Sequence, residues 1–121
     1  MPIPAKDALK ERLARYSQIN ISVTGRKSGK TISIPVWFVL EVGKLYLLPV
    51  HGSDSQWYKN VLQDPSIVID ARGASAKFRA KPITQAQAVK SVVEKFREKY
   101  GAADVKRYYA KFDVAVGVDL D

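Results

Sequence analysis

Two stretches of alternating polarity flank the run Thr24-Gly25-Arg26-Lys27-Ser28-Gly29-Lys30, and this constrains the fold more than any other feature of the chain. Before the run, Ile19, Ile21 and Val23 recur at every second position; after it, Ile32, Ile34, Val36, Phe38 and Leu40 do the same. Period-two alternation around a glycine-punctuated turn predicts a β-hairpin with strands over 18–24 and 31–40. Glycine supplies the positive φ that a tight hairpin needs. A hairpin has no such need for cations. Arg26, Lys27 and Lys30, with the hydroxyls of Thr24 and Ser28, therefore make the turn a candidate anion site, with a solvated hairpin tip as the plain alternative. It is not a Walker A loop, because the glycine spacing is short and a strand, not a helix, follows.

The remaining pattern is read in the same way. Leu9, Leu13 and Tyr16 recur at helical spacing, which predicts a helix over 5–16. Strands are expected over 45–50, 66–72, 76–83 and 112–120. A short helix is expected over 55–62, capped by Ser53 or Asp54. A long amphipathic helix over 84–100 carries Val89, Val92, Val93, Phe96 and Tyr100 on one stripe, and a helical piece follows through 106–109. Pro35 cannot donate to a ladder, so it marks an edge or a bulge. Six short strands, mostly joined by tight turns, predict one α+β domain spanning 1–121, in which an antiparallel sheet closes on itself with helices at its flanks.

Composition narrows the chemistry. The chain has no cysteine and one histidine, so disulfides, cysteine nucleophiles and a zinc site are not expected. No apolar run approaches the ~20 residues of a membrane helix, no signal peptide is apparent, and a cytoplasmic protein is expected. A net charge of +8 implies an anionic partner without naming it. Arg72, Lys77, Arg79 and Lys81 form a basic strip, but no aromatic residues alternate with them, so it reads as a solvated outer face and nucleic-acid binding is not expected. A second candidate element is Pro49-Val50-His51-Gly52, leading into the helix that carries Trp57, Tyr58, Lys59 and Asn60. Strand end, glycine loop and helix N-terminus together aim backbone amides at an anion or carbonyl. His51 lacks an evident orienting carboxylate and fits a ligand contact better than a general base. Trp37 and Pro35 lie on the strand face opposite the apolar one. There Trp37 would cover a planar ring or pack under the long helix.

Gly25-Arg26-Lys27-Ser28-Gly29, Pro35, Gly52 and the Trp57-Tyr58-Lys59-Asn60 helix, in that order and spacing, resemble the deazaflavin-dependent nitroreductases. These are split β-barrel proteins that use coenzyme F420 and are related in fold to the flavin-binding pyridoxamine phosphate oxidases. The resemblance implies that the cofactor's phosphate and acidic tail lie against Lys27 and Lys30, assisted by Arg26 and Ser28. It places the ring near Pro35, Trp37 and the loop Pro49, Val50, His51 and Gly52, whose amides would bond the ring carbonyls. Trp57 and Asn60 would line the pocket, and Tyr100 matches a tyrosine that faces the substrate, a catalytic position. The implied activity is hydride transfer from reduced F420 to a small quinone, enone or nitro compound. An FMN-dependent oxidoreductase and a non-catalytic F420 or flavin binder are the alternatives, and a homodimer is possible in either case. Two positions depart from the family pattern: Val50 stands where a serine is frequent, and Ile32 where an arginine is common.

Overall fold

The computed structural model describes residues 5–120. The chain runs through α1 (Ala5–Leu13), β1 (Gln18–Thr24), β2 (Thr31–Trp37), β3 (Val39–Glu41) and β4 (Lys44–Leu47). A 3-10 turn over Gly52–Asp54 leads into α2 (Gln56–Gln63). Then come β5 (Ser66–Ala71), β6 (Ala74–Ile83), α3 (Ala86–Tyr100), α4 (Ala102–Tyr108) and β7 (Ala115–Asp119). All seven strands belong to one antiparallel sheet in the order β2-β1-β5-β6-β7-β4-β3. The α+β antiparallel expectation holds, with two differences. The strand expected over 31–40 is divided at Phe38, giving seven strands instead of six. The sheet is an open, curled half-barrel with β2 and β3 as its edges. Those edges are consecutive in the chain, so Phe38 carries the backbone from one rim of the sheet to the other.

The expected hairpin forms around the basic turn, with Thr24 opposite Thr31 and Ser22 opposite Ser33, whose hydroxyls lie 2.7 Å apart. Pro35 sits on edge strand β2, where its missing N–H costs the sheet little. The ten-residue β6 joins the two halves: Ala74–Arg79 pair with β5, and Ala80–Ile83 pair with β7.

Two cores result. Inward residues of β1, β5 and β7, among them Ile21, Ile69 and Val116, pack with Leu9 and Leu13 of α1 and Trp57, Tyr58 and Val61 of α2. On the outer face, Val89, Val92, Val93 and Phe96 of α3 cover Val39, Leu48 and Ala115, joined by Val105 and Tyr109 from the α4 region. Each such large apolar side chain contributes about 1.5–3 kcal/mol by leaving water. α1 ends at Leu13, earlier than its periodicity suggested, and Tyr16 instead lies under the Arg72 guanidinium, 5.0 Å from its ring centroid.

Candidate functional site

The basic turn is closed by its own backbone. The Gly25 N–H donates to the Lys30 carbonyl, the Gly29 N–H to the Gly25 carbonyl (both 2.8 Å), and the Lys30 N–H to Ser28 Oγ at 3.2 Å. Gly29 has φ +72°, which an L side chain resists. The ammonium groups of Lys27 and Lys30 are exposed and have no partner among the described residues. Arg26 behaves differently. Its Nη2 donates to Gln56 Oε1 at 2.7 Å, its Nη1 to Asn60 Oδ1 at 2.8 Å, and its backbone N–H to the same Oδ1 at 3.1 Å. The fork that the sequence offered to a phosphate is engaged with α2.

Beside this junction lies a cavity of about 250 Å³, walled by Pro35 and Trp37 of β2, Val50 and His51 of the loop, Ser55, Gln56, Trp57 and Asn60 of α2 and its entry, and Tyr108 and Tyr109. A second cavity of about 270 Å³ is lined by Gly25, Arg26, Lys27 and Ser28 and shares Ile32, Gln56 and Asn60 with the first. Together they reach the size of an ordinary small-molecule site. The fold thus joins the two elements singled out in the sequence. Lys30 stays on the same turn, and Lys30, Pro49 and Gly52 line neither cavity. A broader groove of about 960 Å³ runs between the end of α1, β3 and α3, remote from the turn; its Lys95 is paired with Glu41 at 3.3 Å.

Trp37 does not offer a ring face to the cavity. Tyr100 stacks on it at 4.4 Å between centroids and 11°, and Tyr108 at 4.5 Å and 14°. Two near-parallel rings at these distances fit only on opposite faces, so the indole is sandwiched. The exposed ring of the column is Tyr108, 43% accessible. The Tyr100 hydroxyl lies behind Trp37, not in the cavity. It accepts from the Phe38 N–H at 3.0 Å and lies 2.8 Å from the Phe38 carbonyl and 2.6 Å from that of Ser17, donating its proton to one of them. Burial pushes its pKa up to about 12. Lys99 Nζ also donates to the Phe38 carbonyl, at 2.8 Å, and sits 3.7 Å above the Phe38 ring; burial lowers its pKa to about 8. Lys99 and Tyr100 thus fix the strand break at Phe38.

In the Pro49-to-Gly52 loop the amides of His51 and Gly52 are engaged internally, while the Val50 N–H has no partner among the described residues. His51 N–H donates to Ser55 Oγ at 2.8 Å, Gly52 N–H to the Pro49 carbonyl at 3.0 Å, and Ser53 N–H to Asp113 Oδ1 at 2.9 Å. The amides of Asp54 and Ser55 donate to the carbonyls of His51 and Gly52. The N-cap residue of α2 is Ser55, not Ser53 or Asp54, and its hydroxyl, held by His51, makes no cap hydrogen bond. Ser53 and Asp54 instead bond Asp113 and Lys111. Burial alone would raise the Asp113 pKa, but the Ser53 hydroxyl and amide and the Lys111 ammonium outweigh it and hold the carboxyl below its usual range. Sequence reasoning missed Gln56 and Asp113 and favoured a packing role for Tyr108. Gln56 was accessible in principle, lying four residues before Asn60 on one helix face.

A family model for F420H2-dependent quinone reductase matches residues 5–121. The chain belongs to the F420H2-dependent quinone reductase family. Solved structures support the fold. A domain-swapped dimer is 20% identical with TM-score 0.67, covering 93% of this chain and 98% of that one. The F420-H2 dependent reductase FDR-A is 21% identical with TM-score 0.66, covering 85% and 94%. A Listeria innocua protein described as a candidate pyridoxamine 5'-phosphate oxidase is 9% identical with TM-score 0.68, covering 93% and 90%. No curated protein sequence matches the chain. Among the described residues, no helix is long and apolar enough to cross a membrane.

Proposed function

We propose that the protein binds coenzyme F420 with its ring in the apolar cavity and its acidic tail along the basic turn, and reduces a small planar acceptor such as a quinone, enone or nitro compound. The observation that carries this is the continuity of the two cavities through Ile32, Gln56 and Asn60. Family membership supports the cofactor class. The turn favours F420 over FMN. A compact phosphate is best held by an arginine fork, and the Arg26 fork is engaged with Gln56 and Asn60. Lys27 and Lys30 remain as separate point charges, which suit a tail carrying several carboxylates. When bound, reduced F420 supplies the hydride.

The chain's own residues orient and shield. Trp57, Val50 and Ile34 exclude water, and Trp37 presents an edge stiffened by its two neighbours. Tyr108, with one open face on the cavity, replaces Tyr100 as the tyrosine for the acceptor. Tyr100 acts through Trp37 and Phe38 as a positioning residue. A homodimer is part of the proposal, supported by the domain-swapped relative and the open edge of β2. The engaged Tyr100 hydroxyl favours one second reading, a non-catalytic F420 binder. Adding menadione to the protein loaded with F420H2 decides between the two: oxidation of the cofactor faster than without protein is expected, and an unchanged rate leaves only the binder.

A further inference from the structure

Arg26 reaches across the junction of the two cavities and sets the sense of two carboxamides. A guanidinium and a backbone N–H can only donate. Asn60 therefore has to turn its oxygen toward Arg26, which donates to it from N and from Nη1 at 3.1 and 2.8 Å. Gln56 does the same for Nη2 at 2.7 Å. Network logic of this kind fixes amide orientation. The amino groups of both side chains consequently face away from Arg26.

Asn60 is only 4% exposed, lines both cavities, and its Nδ2 has no partner among the described residues. No buried side-chain nitrogen or oxygen among them lacks both a partner and contact with open space, so Nδ2 opens on the cavity. Turning either carboxamide over would set its NH2 against the N–H groups of Arg26. The two carboxamides are thereby held with their NH2 groups, not their oxygens, turned outward from Arg26.

We propose that Gln56 and Asn60 form a donor-only subsite at this junction, selecting a ligand that presents a carbonyl or phosphoryl oxygen there, with Arg26 as the positioning residue that fixes their sense. The subsite rests on the cavity being the F420 site. It gives Arg26 a role distinct from direct anion binding. It also adds two side-chain donors to the single amide, Val50 N–H, that the Pro49-to-Ser55 loop leaves without a partner among the described residues. Selection against a ligand lacking the acceptor is strong, because a desolvated N–H is left unpaired.

The test uses Asn60→Asp and Gln56→Glu in the full chain. Each keeps an oxygen for Arg26 and replaces the outward NH2 by oxygen. Gln56 is exposed, so Gln56→Glu keeps the test valid should Asn60→Asp fold poorly. F420 and the uncharged 5-deazariboflavin are titrated at high salt, where repulsion of the anionic tail is screened. We expect affinity for F420 to fall about ten- to a hundredfold in Asn60→Asp and several-fold in Gln56→Glu. Loss with both probes assigns the acceptor to a ring carbonyl, and loss with F420 alone assigns it to the phosphate.

Amide exchange at the Arg26 N–H gives a readout free of cofactor. It should be slow in the wild type and in Asn60→Asp, and fast in Asn60→Leu. Variants that bind F420 as the wild type does, or fast Arg26 exchange in the wild type, overturn the subsite alone. A wild type that binds no F420 overturns the cofactor assignment and the subsite with it.

Discussion

Gly52 has φ +56°, and a Cβ built on it would come 2.0 Å from Asp113 Oδ1, so this position admits neither the conformation nor the volume of another residue. Gly52→Ala should cost about 2 kcal/mol or more, roughly 5–10 °C in Tm by thermal melt; an unchanged Tm would show that the loop does not depend on the Asp113 contact. Lys99 makes a pH prediction. Its folded pKa is about 8 against 10.5 for an unperturbed lysine, so between these values the unfolded chain binds the extra proton and stability rises with pH. The wild type should gain Tm from pH 8 to 10 relative to Lys99→Gln. Above pH 10 both proteins should lose Tm as pH rises, because Tyr100 keeps its proton to about 12 and Tyr109 also titrates late, held up by burial and by Tyr108 and Tyr100. Parallel melts of the two proteins across that range check both signs. Tyr100→Phe keeps the ring on Trp37 and removes the hydroxyl from Phe38, so it should lower Tm with F420 affinity nearly retained. Tyr108→Leu should leave Tm nearly unchanged and slow acceptor reduction.

At the scale of elements, the basic turn and α2 act as one unit tied by Arg26. Replacing Lys27 and Lys30 together by alanine should weaken F420 binding about tenfold or more, while Arg79→Ala on the outer face should change it less than about twofold. Equal effects in a titration would mean that the turn is not the anion site. Both the turn and α2 were legible in the sequence, since glycine spacing and helical periodicity are local signals. The break at Phe38 was not. Residues 31–40 keep an apolar side chain at every second position throughout, and the groups that divide them, Lys99 and Tyr100, stand 61 and 62 residues away. The same limit applies to Trp37. Its strand face could be read from alternation, but its sandwich depends on α3 and α4 docking over the sheet. Asp113, which fixes a loop 60 residues earlier, carries no local signal at all.

For the whole molecule, the open half-barrel creates the site by curling. The β1–β2 hairpin brings the turn to one end of α2, and α4 brings Tyr108 to the other side of the cavity. The α+β antiparallel class followed from strand number and turn spacing, while the location of the site required the curl, which depends on long-range packing in both cores. The central claim is that this combined cavity takes a deazaflavin. Fluorescence titration of the purified wild type with F420 and with FMN tests it most directly. Saturable F420 binding, tighter than that of FMN and displaced by neither riboflavin nor phosphate at equal concentration, is the expected result. Tight FMN binding with none of F420, or binding of neither, would contradict it.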